Sequence, residues 1–183
     1  MKRDEALKLV RENVSQKNLI KHMLATEAAM RALANRLGGD PDKWGLAGLL
    51  HDLDYDSTAD NFPRHGLMSA EMLEECDVDE EIICAVRAHP GHGEYPPETQ
   101  MDWALHSVDS LTGLIVAATL MHPEKKLRAV EPDFVMRRFG EKRFAAGANR
   151  EQIRKCEKLG LELEEFVEIT LRSMQDISGE LGL

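Results

Sequence analysis

Residues 46–54 read Leu-Ala-Gly-Leu-Leu-His-Asp-Leu-Asp, an apolar run that leads straight into an adjacent histidine and aspartate. Upstream, Asp40-Pro41 has the form of an N-cap followed by proline at the first helical position, so a helix covers about Asp42 to His51 and ends at the pair. Gly38 and Gly39 close the helix before it, glycine being suited to the left-handed conformation at a helix end. That earlier helix is long, from about Asn18 to Arg36, with Ile20, Met23, Leu24, Ala28, Met30 and Leu33 available for burial; a short one over Asp4 to Asn13 precedes it.

Downstream, Leu53 to Arg64 has the Asp, Ser, Asn and Pro content of a loop. Helices follow over His65 to Glu75 and Asp79 to His89, then a loop from Pro90 to Pro97 and a long helix from about Thr99 to Met121 that carries Trp103, Leu105, Val108, Leu111, Leu114, Ile115 and Ala118 at core-like spacing. Pro132 to Phe139, Asn149 to Leu159 and Leu163 to Leu181 read as three further helices, punctuated by Gly140 and the segment Ala-Ala-Gly-Ala-Asn. No sustained period-two alternation occurs, so the chain is expected to be all-α, a bundle of roughly eight to ten helices.

At 183 residues and 43% hydrophobic, the chain is long enough for one substantial core and short for two ordinary domains, so one domain over 1–183 is expected. No apolar run approaches the roughly 18 to 20 residues that span a bilayer, and the opening MKRDEALKLVRENV is charged and amphipathic, unlike a signal peptide. The expectations are therefore no membrane association and a cytoplasmic location. Cys76, Cys84 and Cys156 form no CxxC pair and are odd in number, which implies neither a disulfide framework nor a thiolate zinc site. A net charge of −10 disfavours a protein that grips a nucleic-acid backbone. Small phosphorylated molecules stay open as substrates, because a bound cation can be the largest local charge in a site.

The histidines concentrate in the first two thirds: His22, His51, His65, His89, His92 and His106, with His122 beyond them. A lone histidine is more often a hydrogen-bonded core residue than a ligand, but the pattern is not that of lone residues. His51 and Asp52 stand at one helix end and can face one ion. His22 on the preceding long helix and Asp109 on the later one, within ALHSVDSLTG, complete a set of two imidazoles and two carboxylates of the kind that suits borderline divalent metals.

The order His22, His51-Asp52, Asp109 resembles the H…HD…D signature of the HD superfamily of metal-dependent phosphohydrolases, over about residues 18–121, with the helices of 122–183 adding no ligand motif. The resemblance implies an all-helical HD bundle holding one or two divalent ions drawn from Fe, Mn, Co, Ni, Zn or Mg. Members with two metals carry extra histidines between the HD pair and the last aspartate. His65 in RHGLMSAEML and His89 in AVRAHPGH resemble these, so Asp52 would bridge the ions, with His22, His51 and Asp109 on one and His65 and His89 on the other. His92 is the alternate ligand, and His106, three residues before Asp109 on the same helix face, is an alternate ligand or pocket residue.

Departures narrow the resemblance. The adjacent histidines and GYP motif of cyclic-dinucleotide phosphodiesterases are missing, the glycine and lysine of HDIGK are replaced by Asp54 and Tyr55, and Thr112-Gly113 stands where the diadenosine-tetraphosphate branch has glutamate-proline. The expected activity is hydrolysis of a phosphate ester, a nucleotide or related small metabolite, by metal-activated water, with Asp52 as the catalytic carboxylate. Arg64, beside His65, is the expected phosphate contact. Lys125, Lys126, Lys142 and Arg143 read as ordinary surface, Asp54 and Asp56 as solvated loop carboxylates, and Tyr55 and Tyr95 as loop rings flanking the site. Two alternatives stay open: a mixed-valent di-iron oxygenase with the same ligands, and a nucleotide-binding sensor without turnover. A homodimer is the expected oligomer if one forms, two-fold dimers being commonest.

Overall fold

The computed structural model describes residues 1–58, 60–91 and 94–183, and among these there is no strand. Helix α1 (Arg3–Asn13) leads to α2 (Lys17–Leu37), which Gly38 terminates in the left-handed conformation at φ 79°. Asp40 then caps α3 (Pro41–Leu50), accepting hydrogen bonds from the backbone N–H groups of Asp42 and Lys43. Single-turn α4 (Tyr55–Thr58) and a 3-10 turn at Phe62–Arg64 occupy the stretch expected to be loop. Next come α5 (Leu67–Glu74), α6 (Glu80–Ala88) and the long α7 (Gln100–Met121), followed by α8 (Pro132–Gly140), α9 (Arg150–Arg154), α10 (Leu163–Asp176) and α11 (Ser178–Leu181).

Two expected helices are each subdivided. The Asn149–Leu159 segment tightens into a 3-10 helix after Arg154, and the last helix breaks at Ile177, whose φ −105° and ψ 15° leave the helical region.

Helices α2 and α7 form the spine. α3 lies along α2, α10 packs on both α2 and α7, and α6 and α9 close on α7. The fully buried side chains Met23, Met30, Leu33, Leu49, Leu50, Leu105, Leu111, Leu114 and Phe166 join these elements into a core that extends from Ala6 to Leu181. By length and composition α7 is also apolar enough to cross a membrane, contrary to the reading of the sequence. Its apolar side is core here, since Leu105, Val108, Leu111, Leu114 and Ile115 are wholly buried.

Gly48 decides how close α2 and α3 come. A Cβ on it would lie 2.8 Å from the Thr26 carbonyl oxygen, so the crossing is close because residue 48 has no side chain. That contact brings His22 on α2 to His51 at the end of α3.

Candidate metal centre

Four imidazoles and two carboxylates converge where α2, α3, α7 and the ends of α5 and α6 meet. The Nε2 atoms of His22 and His51 are 3.2 Å apart, and those of His65 and His89 are also 3.2 Å apart. Asp52 lies between the pairs with one oxygen for each. Its Oδ2 is 3.6 Å from His22 Nε2 and 3.3 Å from His51 Nε2, while Oδ1 is 3.3 Å from His65 Nε2 and 3.6 Å from His89 Nε2. Asp109 Oδ1 joins the first pair, 3.0 Å from His22 and 3.7 Å from His51.

The opposite nitrogen of every ring is fixed by a partner that dictates the tautomer. His51 Nδ1 meets the Gly48 carbonyl at 2.9 Å and His89 Nδ1 meets the Val86 carbonyl. Carbonyls only accept, so both Nδ1 atoms carry the proton. His65 Nδ1 donates to Asp54 Oδ1 at 2.8 Å. His22 Nδ1 is 3.0 Å from the Thr112 hydroxyl, whose own hydrogen goes to the Asp109 carbonyl, so His22 donates as well. With Nδ1 protonated on all four, each neutral ring aims an Nε2 lone pair into the centre. Lone pairs facing one another at this range are repulsive unless a cation lies between them.

Spacing agrees with that cation being a metal. Donors held at about 2.1 Å from one ion, at tetrahedral or octahedral angles, are roughly 3.0 to 3.4 Å apart, and both imidazole pairs have this separation. The triads His22–His51–Asp52 and Asp52–His65–His89 are each compact enough to hold an ion. Anchoring each ligating imidazole through its other nitrogen orients the ring and raises its basicity.

Protons would occupy these positions when no metal is bound. Burial opposes charge on His51, but Asp52 and Asp109 outweigh it and hold its pKa well above the usual histidine value. His65, also penalised by burial, is raised to about 9 by Asp52 and Asp54. For His89 burial prevails, reinforced by its charged neighbours His51 and His65, and the pKa falls. Asp52 and Asp109 feel a burial cost that the surrounding imidazoles overcome, which keeps both carboxyls below the usual range and ionised.

The other residues singled out from the sequence have different fates. Asp54 is not a solvated loop carboxylate: it is 1% exposed, accepts from His65 and from the backbone N–H groups of Gly66 and Ser69, and thereby holds the start of α5 against the centre. Asp56 is bound to Ser15 and Gln16 at the α1–α2 junction. Arg64 does not reach the centre, because its guanidinium forks onto Glu71 at the surface. His106 is in neither triad; its Nδ1 donates to the His89 carbonyl, and its ring fills the space beside Gly91 that a Cβ there would need. Tyr55 packs edge-on to His65, whereas Tyr95 lies under the Arg87 guanidinium. His92 falls outside the described residues.

Asp54 and Thr112 each hold one of the imidazoles, a role that the sequence reading gave to neither. The spacing of Asp54, two residues past the HD pair and within a loop able to fold back, was the available signal for the first; nothing local marks Thr112.

A cavity of about 960 Å³ opens over the centre, with His22, Asp52, His65 and Asp109 on its floor. One wall comes from residues 145–149. Arg150 organises that wall, donating to the carbonyls of Ala145 and Ala148 at 2.6 and 2.8 Å and to that of Phe144, and Ala145 adopts φ 42° there.

Comparison with known proteins adds a family. The HD domain profile matches residues 19–131. Ribonuclease Y of Nitratidesulfovibrio vulgaris is 32% identical over 96 residues, 52% of this chain and 18% of that protein. Ribonuclease Y of Alkaliphilus metalliredigens is 30% identical over 138 residues, 73% of this chain and 28% of that protein. The chain thus spans about a fifth to a quarter of the length of these relatives. An uncharacterized protein of Methanocaldococcus jannaschii matches along nearly all of both chains, at 29% identity over 175 residues, 91% of this chain and 99% of that one.

Proposed function

The chain belongs to the HD domain family, and from that premise we propose that it is a metal-dependent phosphohydrolase of a small phosphate ester, a nucleotide or related metabolite. The observation that carries this reading is Asp52, whose two oxygens each face a different pair of imidazoles. A carboxylate so disposed is suited to hold two ions side by side under an open cavity.

Bound divalent ions supply Lewis acidity, lowering the pKa of water to about 7 and polarising a phosphoryl oxygen. The protein's share is positional. Asp52 and Asp109 stay ionised, and so serve as ligands and not as proton donors. His22, His51, His65 and His89 are locked by Thr112, Gly48, Asp54 and Val86, so the floor needs no rearrangement when substrate arrives. The Ribonuclease Y relatives bear a name that denotes RNA cleavage. A net charge of −10 is unfavourable for gripping a polynucleotide backbone, which favours a small ester here. The complete donor set disfavours a sensor without turnover.

Phosphate release from a panel of phosphate monoesters, nucleotides and dinucleoside polyphosphates, run under nitrogen with iron, manganese, cobalt and zinc in parallel, tests the reading. Turnover is expected without dioxygen and with redox-inert zinc. No release from any substrate, with oxygen consumed only by the iron form, would move the assignment to the oxygenase chemistry.

A further inference from the structure

Above the metal-binding floor the cavity is mostly apolar. Five large hydrophobic side chains are exposed among the described residues, and three of them, Tyr55, Phe62 and Leu120, line this one cavity. Leu19 and Val116 continue the surface inward. Clustered exposed apolar groups around a concavity mark a binding surface, unlike single scattered ones.

Polar side chains in the walls are largely engaged by the protein itself. Gln16 donates to Asp56, Ser110 donates to Gln152, Gln152 donates to the His106 carbonyl, and Asn149 caps α9. Lys21 differs from these. Among the described residues it is the lysine of the lining, with no arginine beside it, and its ammonium lies next to Gly182, 2.9 Å from where a Cβ there would stand.

We propose that the ligand of this cavity carries a single phosphate group, met by the centre, on an uncharged, predominantly apolar body that rests against Leu19, Val116, Leu120 and Phe62. This rests on the phosphohydrolase reading and narrows it. A chain of further phosphates, as in a polyphosphate or a polynucleotide, would lie along a mostly apolar wall where, among the described residues, Lys21 is the lysine or arginine on offer, at the cost of desolvating charge. The volume is of the size that encloses a small-molecule ligand.

The test is titration calorimetry of the full, metal-loaded chain with methyl-, butyl- and octylphosphonate and with the octyl analogue ending in a carboxylate. Octylphosphonate is expected to bind at least tenfold tighter than methylphosphonate, each buried methylene tightening binding by roughly threefold to fourfold at most. The terminal carboxylate should cancel that gain. Leu120→Ser, at an exposed position of the wall, should reduce the chain-length dependence and leave metal content unchanged. Equal affinity for the methyl and octyl compounds, or full retention of the gain by the carboxylate, would overturn the apolar-body assignment and leave the phosphohydrolase reading standing. Failure of every phosphonate to bind the metal-loaded protein would count against both.

Discussion

The two halves of the centre hold similar donors on different scaffolds. The first, His22, His51 and Asp109, is carried by α2, α3 and α7, the long helices and the close crossing that form the core, and it opens toward the cavity with His22 and Asp109 side chains 22% and 25% exposed. The second, His65 and His89, hangs from a loop and the ends of two short helices, is nearly closed to solvent at 6% and 1%, and depends on the buried carboxylate of Asp54. Rigid long-range packing positions one half and a local polar turn positions the other. The halves should therefore fail differently when perturbed, with Asp52 as the residue common to both.

The largest effect is expected at that shared residue. Asp52→Ala removes a ligand from each half, so metal content should fall toward zero and turnover by on the order of a thousandfold or more, read by elemental analysis beside kcat/KM. A loss confined to one ion would show that Asp52 serves one half alone.

Asp54→Asn should separate the halves. It keeps an oxygen able to accept from His65 Nδ1 but removes the charge, and a change of this kind behind a ligand typically costs about 10- to 100-fold in metal affinity. Only the weaker of two binding events in a metal titration should move. A matching loss in both would mean that the loop and the helical core are one cooperative unit.

Thr112→Val is the counterpart on the first half, with a smaller expected effect of about tenfold, because a neutral hydroxyl and not a carboxylate is lost. Unchanged affinity would indicate that the helices alone orient His22.

Acidity acts on both halves in the same direction. His51 and His65 hold protons more tightly than an ordinary histidine, His65 up to about 9, and metal must displace them. Binding should therefore release protons and strengthen as pH rises toward about 9. Calorimetry in buffers of different ionisation enthalpy reads this release, and affinity that is flat between neutral pH and that value would contradict it.

The same contrast explains what could be read from the sequence. Helical periodicity and end signals located α2, α3 and α7 to within one residue, because Asp40, Gly38 and Thr99 act locally, whereas the break at Ile177 after α10 went unread. The order His22, His51-Asp52, Asp109 was legible because His22 and Asp109 sit on long helices and the His51-Asp52 pair follows directly on the end of α3. The polar residues of the loop from Leu53 to Arg64 looked solvated by composition, yet the chain folds back there and buries Asp54 while leaving Arg64 outside with Glu71. Composition gives the polarity of such a segment and not the direction of its turn. Thr112 was equally hidden, since its role depends on His22, 90 residues away.

The central claim is that Asp52 joins two ions into one centre. Electron paramagnetic resonance of the manganese-loaded protein tests it most directly, since two ions sharing a carboxylate are exchange-coupled and isolated ions are not. The wild-type chain is predicted to give the coupled signal, and His65→Ala the signal of an isolated ion at half the metal content with the fold intact. An isolated-ion spectrum from the wild-type protein, unchanged in stoichiometry by His65→Ala, would contradict the account.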